Sequence, residues 1–347
     1  MIYDALAVDV GAGTQDILLY QEGVPIEGST KMVLPSQTMI VGNRISRARM
    51  AERDIFLHGP IMGGGASTMA VRWHLAAGLR VFATPSAAAT INNDLGQVEA
   101  LGVIIQEDAP ASAEIVETGD IDIPSLQRAF QLFDISLPKD IAVAVQDHGY
   151  SPGKSNRQVR FEHMVAAIRS GGSLDDFAFK EYPQEMTRMV AVRDTLIKEG
   201  FEPFIMDTGP AAIFGAALDP RMEDPSLIIN FGNSHTIAAI LSEERICAIF
   251  EHHTSSMKGE KVREFTEKLC RGTLEEGEVF DDGGHGSYIG SLPDGVRSIL
   301  VTGPRRESFL SCEALKGAVA AAPAGDMMIT GCLGLIKAWK KRDDLTG

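Results

Sequence analysis

Cysteine is scarce and scattered in this chain. Its 347 residues include four, Cys247, Cys270, Cys312 and Cys332, and none lies within four residues of another. That spacing excludes the close Cys motifs of zinc ribbons and iron–sulfur sites and leaves free, buried or partly buried thiols as the expectation. A basic excess is missing too. Lys and Arg number 32 against 47 Asp and Glu, a net charge of −15, which disfavours nucleic acid as a partner. No run of about 18 apolar residues appears, so no membrane span is expected. No signal-peptide pattern opens the chain, because Asp4 and Asp9 interrupt the first apolar stretch, and the expected location is cytoplasmic. Hydrophobic residues make up 44% and charged residues 23%, as a packed core requires, and the length suffices for two domains.

Two short segments share one pattern. Ala5-Leu6-Ala7-Val8 leads into Asp9-Val10-Gly11-Ala12-Gly13-Thr14-Gln15-Asp16 and then Ile17-Leu18-Leu19-Tyr20. Leu227-Ile228-Ile229 leads into Asn230-Phe231-Gly232-Asn233-Ser234-His235-Thr236 and then Ile237-Ala238-Ala239-Ile240. Each reads as strand, Gly-containing turn with Thr, strand. Glycine lets a backbone turn sharply and approach a phosphate, successive N–H groups in such a turn form an anion-binding concavity, and Thr14 and Thr236 can add hydroxyl donors. Asp9, at a strand end, can hold Mg²⁺ through water. A single hairpin of this kind is commonplace; two, at the start of each half, point to similar domains closing on one nucleotide.

The periodicity predicts strands at 2–10, 17–21 and 30–34, a helix within 35–53, strands at 54–58, 79–83, 102–106 and 114–118, and helices at 67–78, 85–101 and 123–133. A buried strand at 141–146 follows, then helices at 161–169, 174–177 and 184–200, a strand at 204–206 and a small-residue helix at 209–218. The second half repeats the theme with strands at 227–230, 235–241, 245–250 and 296–301, a short one at 327–329, helices at 258–270, 306–318 and 333–341, and an acidic Gly-rich loop at 275–286. This is an α/β duplication with mixed sheets.

With these residues in view, the chain resembles the actin-like ATPase superfamily of actin, DnaK-type chaperones and sugar kinases. Asp9 to Asp16 looks like its first phosphate motif and Asn230 to Thr236 its second. Asp207-Thr208-Gly209-Pro210-Ala211-Ala212 and the residues to Asp219 are similar to an interdomain helix. Ile299 to Arg306, with Thr302-Gly303-Pro304, resembles the adenosine motif, and Ile329 to Leu335 the second connecting helix. Within the superfamily the chain is most similar to a prokaryotic family labelled pyruvate formate-lyase activating enzyme-like. The true activase carries a Cys-x-x-x-Cys-x-x-Cys cluster, which this sequence does not have. The resemblance implies two ribonuclease H-like domains, 1–220 and 221–347, with an interdomain nucleotide cleft. It implies ATP with Mg²⁺ held by Gly11, Ala12, Gly13, Thr14 and Gln15 on one side and Gly232, Asn233, Ser234 and Thr236 on the other, with Gly303 and Pro304 beside adenosine. Slow ATP hydrolysis, with domain closure signalling to a partner, is the implied activity. A small-molecule kinase and a non-catalytic nucleotide sensor are the alternatives. The sensor follows from Asn230, which stands where many members have Asp and carries no charge for Mg²⁺.

Strand 141–145 runs into Gln146-Asp147-His148-Gly149, similar to the Gln-Met-His-Gly of sugar kinases at the strand end that faces the γ-phosphate. Gln146 can orient water, Asp147 can act as general base and His148 as donor or base; in the kinase alternative Asp147, or else Asp207, is the base for a substrate hydroxyl. The segment Gly149 to Ser155 falls one residue short of a P-loop, though Lys154 and Arg157 can still touch phosphate. The Met62-Gly63-Gly64-Gly65-Ala66-Ser67-Thr68 loop, with Arg72 and His74 downstream, is a candidate substrate or partner site at a helix N-terminus. Glu251-His252-His253 and Asp281-Asp282 with His285 offer a mixed metal set; adjacent histidines on a strand face opposite ways, and a solvated loop is the stronger expectation.

Overall fold

The computed structural model describes residues 3–178 and 182–342; Ile2, where the first expected strand begins, lies outside them. The chain opens with strands β1 (Ala5–Val10), β2 (Thr14–Tyr20) and β3 (Thr30–Pro35). Four short strands follow: β4 (Ile55–His58), β5 (Val81–Ala83), β6 (Val103–Ile105) and β7 (Glu114–Glu117). Then come β8 (Asp140–Val145) and β9 (Glu202–Met206). The second half holds β10 (Ser226–Phe231), β11 (His235–Ser242), β12 (Arg245–His253), β13 (Gly286–Ile289), β14 (Ser298–Thr302) and β15 (Val319–Ala320). The helices are α1 (Gln37–Met50), α2 (Gly65–Ala76), α3 (Pro85–Ala88), α4 (Leu95–Ala100), α5 (Ile123–Gln131), α6 (Asn156–Ser170), α7 (Thr187–Lys198), α8 (Thr208–Ala216), α9 (Gly259–Arg271), α10 (Glu276–Asp281), α11 (Glu307–Leu310) and α12 (Thr330–Lys340). No helix among the described residues is long and apolar enough to cross a membrane.

The duplication is explicit in the strand order. The first sheet runs β3-β2-β1-β8-β9, and the second runs β13-β12-β11-β10-β14-β15. In each, a central strand pairs antiparallel with a meander on one side and parallel with returning strands on the other. The order 3-2-1-4-5 thus occurs twice, and the chain has the actin-like fold of two ribonuclease H-like halves. Between β3 and β8 the first half carries an inserted parallel sheet, β6-β5-β4-β7, with its own core of Val41, Ile45, Leu57, Val71 and Val81.

Each half sends its last helix to the other. Helix α8 leaves β9 and packs on β10 and β14, while α12 leaves the second half and packs on β1 and β8. One core therefore spans both halves, joining Leu18 and Ala142 to Phe214, Ile228, Leu335 and Trp339. The small residues of α8 serve the crossing: Gly209 to Ala216 are all buried.

Local polar chemistry explains where the elements depart from the periodic pattern. The helix expected at 85–101 is two, because Asn92 Oδ1 accepts from Asp94 N and Asp94 Oδ1 from Gly96 N, bonds that end one helix and start another. The acidic loop expected at 275–286 holds α10, capped by Glu275 and Glu278, and leads into β13. The helix expected at 306–318 survives only as α11 and a 3-10 turn. The short strand expected at 327–329 is a turn into α12.

Past α8, Asp219 ties the crossing down. Its carboxylate accepts from Arg221 N, Nε and Nη2 and from Ala322 N, at 2.6–3.0 Å. These bonds, Arg221 foremost, pull its pKa from 3.8 to about 2. A depressed carboxyl stabilises the fold above its unfolded pKa and loses that contribution as pH falls through the folded one. Asp219→Asn is expected to cost about 1–2 kcal/mol at pH 7, allowing for solvent screening of the half-exposed Arg221. The gap from wild type should close between pH 4 and 2. Urea midpoints at pH 7 and pH 2.5 check it, and an unchanging gap would sink it.

Candidate functional site

The two Gly turns are built alike. Gly11 N donates to Thr14 O at 2.9 Å, and Gly232 N donates to His235 O at 2.9 Å. In the flanking ladders Asp9 pairs with Asp16 and Val10 with Gln15, and likewise Asn230 with Ile237 and Phe231 with Thr236. The register makes His235, not Thr236, the counterpart of Thr14. This corrects the sequence reading, which matched the two threonines. Thr236 corresponds to Gln15, and by strand alternation both point away from the cleft. Gln15 is 3% exposed and donates through Nε2 to Pro35 O. Thr236 is fully buried against the Thr254 hydroxyl, which donates to Gly232 O. Neither side chain reaches a ligand in the cleft; Thr236 backs its turn instead.

The turns meet across the cleft, where Gly13 packs against the Asn233 side chain. A cavity of about 90 Å³ lies between them, lined by Gly11, Ala12 and Thr14 from the first turn and Gly232 and Asn233 from the second. Gly303 and Pro304 from the end of β14 complete it. Gly303 sits at φ +93°, and a Cβ there would come within 2.3 Å of Asn230 Oδ1, so this turn demands glycine. Ser234 lies outside this cavity and lines the larger one next to it.

Asp9 and Asp16 face the same small cavity. Asp9 Oδ1 accepts from the Thr208 hydroxyl at 2.6 Å, and Asp16 Oδ1 is buried with no partner. Burial pushes Asp9 up to about 6, against the Thr208 bond. Burial, then the neighbouring Asp9 charge, pushes Asp16 up to about 8. Asp16 escaped the list of sequence candidates, although counting across a four-residue turn sets it opposite Asp9. An orphaned carboxylate oxygen beside a second carboxylate fits a hard divalent cation.

Beyond the turns opens a cavity of about 400 Å³, lined by Gly63, Gly64, Asn92, Arg188, His148 and His235 among others. The Gly63 loop belongs to it; Arg72 and His74 do not. Arg72 is exposed on α2, and His74 is fully buried under it, because residues seven and nine places into a helix lie on its flank rather than at its tip. Asp147 borders the cavity but serves the backbone. Its oxygens accept from Gly149 N, Arg188 N and Met189 N, and it is 2% exposed. The base role expected of it has no oxygen aimed at the cavity. Gln146 Nε2 donates across the cleft to Glu251 Oε1 at 3.2 Å. Lys154 is paired with Glu162, and Arg157 donates to Phe280 O and Gly284 O, so both expected phosphate contacts are occupied.

Of the residues expected in a solvated loop, Glu251, His252 and His285 are buried, whereas Asp281 and Asp282 are exposed. Arg160 on α6 donates from Nε and Nη2 to Glu251, at 2.8–3.1 Å, and through Nη1 and Nη2 to Asp207. All three side chains are less than a tenth exposed. Burial alone would raise Glu251, but Arg160 and His285 outweigh it and hold the carboxyl well below its usual range. Asp207, expected as an alternative base, is the partner of that guanidinium and the cap of α8. His252 faces Asp282 and His253 the opposite way, against His235, as strand alternation requires.

Around Glu251 stand three imidazoles from distant parts of the chain. His148 and His235 ring centroids are 5.2 Å apart, His148 and His285 5.1 Å, and His235 and His285 4.9 Å. Burial lowers His148 well below 6.5 and His235 to about 3, so both rings are neutral at pH 7.

Comparison with known proteins adds a family and distant likenesses. No curated protein sequence matches the chain. Among solved structures, it is similar to the ethanolamine utilization protein EutJ from Carboxydothermus hydrogenoformans, at 13% identity over 96% of this chain and 89% of that one, with a TM-score of 0.35. It is also similar to a chain of the PilM-PilN type IV pilus biogenesis complex, at 12% identity over 97% and 98%, with a TM-score of 0.38. The duplicated strand order, rather than these distant likenesses, defines the fold. A family model matches residues 62–308, and the chain belongs to that family, described as "Putative pyruvate format-lyase activating enzyme (DUF1786)".

Proposed function

We propose that the chain binds ATP with Mg²⁺ between its halves, 1–220 and 221–347, and hydrolyses it slowly, closure of the halves signalling to a partner. One observation carries the reading: both Gly turns, the Gly303-Pro304 turn and the Asp9–Asp16 pair line a single cavity. Amides of Gly11 to Thr14 and of Gly232 and Asn233 would bind phosphate oxygens, and Gly303 and Pro304 would flank the adenosine. Asp9 and Asp16 would hold Mg²⁺, which supplies charge neutralisation to the phosphates. Gln146, held by Glu251, would position water. At about 90 Å³ the cavity is too small for a whole nucleotide, so entry would require the halves to part about the α8–α12 crossing. The activating-enzyme chemistry in the family description needs a cysteine cluster that this sequence does not contain.

A second reading, a small-molecule kinase, is favoured by the 400 Å³ cavity, which shares Gly11, Ala12 and Thr208 with the cleft. A polar metabolite there would lie beside the terminal phosphate. Stimulation of ADP release by one hydroxylated compound would select it.

Asp16→Asn tests the shared core of both readings. Replacing a buried carboxylate with one oxygen unpartnered is expected to leave the protein equally or more stable without Mg²⁺, while Mg²⁺-dependent ATP affinity falls roughly tenfold or more. Calorimetric titration and thermal melts on the same samples separate the two effects. A properly folded wild type that binds no ATP with Mg²⁺ would overturn the proposal.

A further inference from the structure

We infer that His148, His235 and His285 form a binding site for one divalent transition-metal ion of the Zn²⁺ type, with a coordination position open to the 400 Å³ cavity. The candidate ligand atoms of these three residues all lie within 4.8 Å of one another. The residues come from three places: His148 from the loop after β8, His235 from the head of β11, and His285 from the residue before β13. The packing of the two halves brings them together.

Chance packing of polar rings does not explain the arrangement. His285 is 2% exposed, and both nitrogens of His235 and both of His285 are buried without a hydrogen-bond partner. Such orphaned atoms cost free energy unless a ligand satisfies them. Neutral imidazoles are good ligands for Zn²⁺ and its neighbours and poor ones for Mg²⁺. His285 Nδ1 lies 2.9 Å from Glu251 Oε2 without the alignment of a hydrogen bond; a small rotation of the ring would give the carboxylate–histidine pairing that orients a metal-binding ring and leaves Nε2 for the ion. Glu251 is held in turn by Arg160 and Gln146, and the backbone fixes His285 through His285 N to Glu251 O at 2.9 Å.

Tetrahedral coordination at Zn–N distances of about 2.0–2.1 Å places ligand nitrogens about 3.4 Å apart. Modest side-chain rotations therefore close the set. Three protein ligands leave a fourth position, and since His148 and His235 line the large cavity, that position faces it. Water or an oxygen donor on a small anionic molecule would complete the shell. The site is separate from the Asp9–Asp16 pair in its donor chemistry, so it does not rest on the nucleotide reading.

The test uses tag-free full-length protein, stripped with chelator and titrated with Co²⁺ and then Zn²⁺ in the absence of nucleotide. One equivalent of Co²⁺ is expected to bind with the intense visible absorption of a tetrahedral site, and Zn²⁺ should displace it. His148→Gln and His235→Gln, which preserve bulk and polarity, should each weaken binding roughly tenfold or more while leaving the metal-free melting curve within error. His163→Ala, outside the cluster, should bind as wild type. Absence of the absorption band in folded wild type, or full affinity retained by the His148→Gln/His235→Gln double variant, would overturn the inference.

Discussion

Gly215→Ala is expected to destabilise the protein by roughly 3–5 kcal/mol. The usual effect has the opposite sign, since alanine in a helix interior is favoured over glycine by up to about 1 kcal/mol. The reversal comes from the crossing of α8 and α12. A Cβ on Gly215 would lie 1.8 Å from Thr330 O, and one on Gly334 would lie 2.0 Å from Ala211 O. The obstruction on both sides is backbone, so no rotamer change relieves it. The helices would have to part by more than an ångström along a contact that carries the core shared by the two halves. Gly334→Ala should behave like Gly215→Ala. Gly277→Ala in the exposed α10, where the nearest atom to a new Cβ is 3.9 Å away, should be neutral or stabilising. Urea midpoints at constant slope measure all three. Equal midpoints for Gly215→Ala and Gly277→Ala would show that the crossing is not tight, and the hinge invoked for nucleotide entry would lose its basis.

That crossing was legible in the sequence, because a run such as Gly209-Pro210-Ala211-Ala212 has few uses other than close approach. The hairpins were legible too, since apolar strands flanking a Gly turn leave little choice of local structure. What failed was the alignment of one hairpin on the other. Matching letters paired Thr14 with Thr236, whereas counting outward from each turn pairs Thr14 with His235 and Gln15 with Thr236. A shift of one residue changes the face of the strand, so Gln15 and Thr236 were assigned to the cleft and Asp16 and His235 were missed. Asp147 illustrates a different limit. Its place at a strand end suggested catalysis, but the amides of Gly149, Arg188 and Met189 that occupy its oxygens come partly from α7, about 40 residues on. The histidine cluster was least legible of all. Positions 148, 235 and 285 share no spacing rule, and only the packing of the two halves brings them together.

Arg160→Met is expected to be as damaging as the glycine substitutions, at about 3–5 kcal/mol, because it removes one partner of a buried charge network and strands the others. Arg160 is 1% exposed and is the only guanidinium among the described residues shown bridging Asp207, at the head of α8, and Glu251, in the second half. Methionine fills the volume of the stem but leaves two carboxylates without their shared guanidinium, Glu251 keeping only His285 and Gln146 beside it. Arg160→Lys should recover only part of the loss, since a single ammonium cannot present separate N–H edges to two carboxylates. Arg160→Met combined with Glu251→Gln should be more stable than Arg160→Met alone, because it withdraws one of the stranded charges. The pair then forms a double-mutant cycle whose coupling term reports the interaction directly. High salt should change the wild type little, as a buried pair is poorly screened. Arg160 also ties the two halves together: its two carboxylates belong to different halves of the duplication, and Glu251 in turn holds Gln146 and lies against His285. An Arg160→Met protein as stable as wild type would mean that the bridge contributes nothing to stability, and the network would then be no clasp. A destabilised variant rescued by the second substitution would establish the clasp between the halves that the proposed nucleotide entry must release.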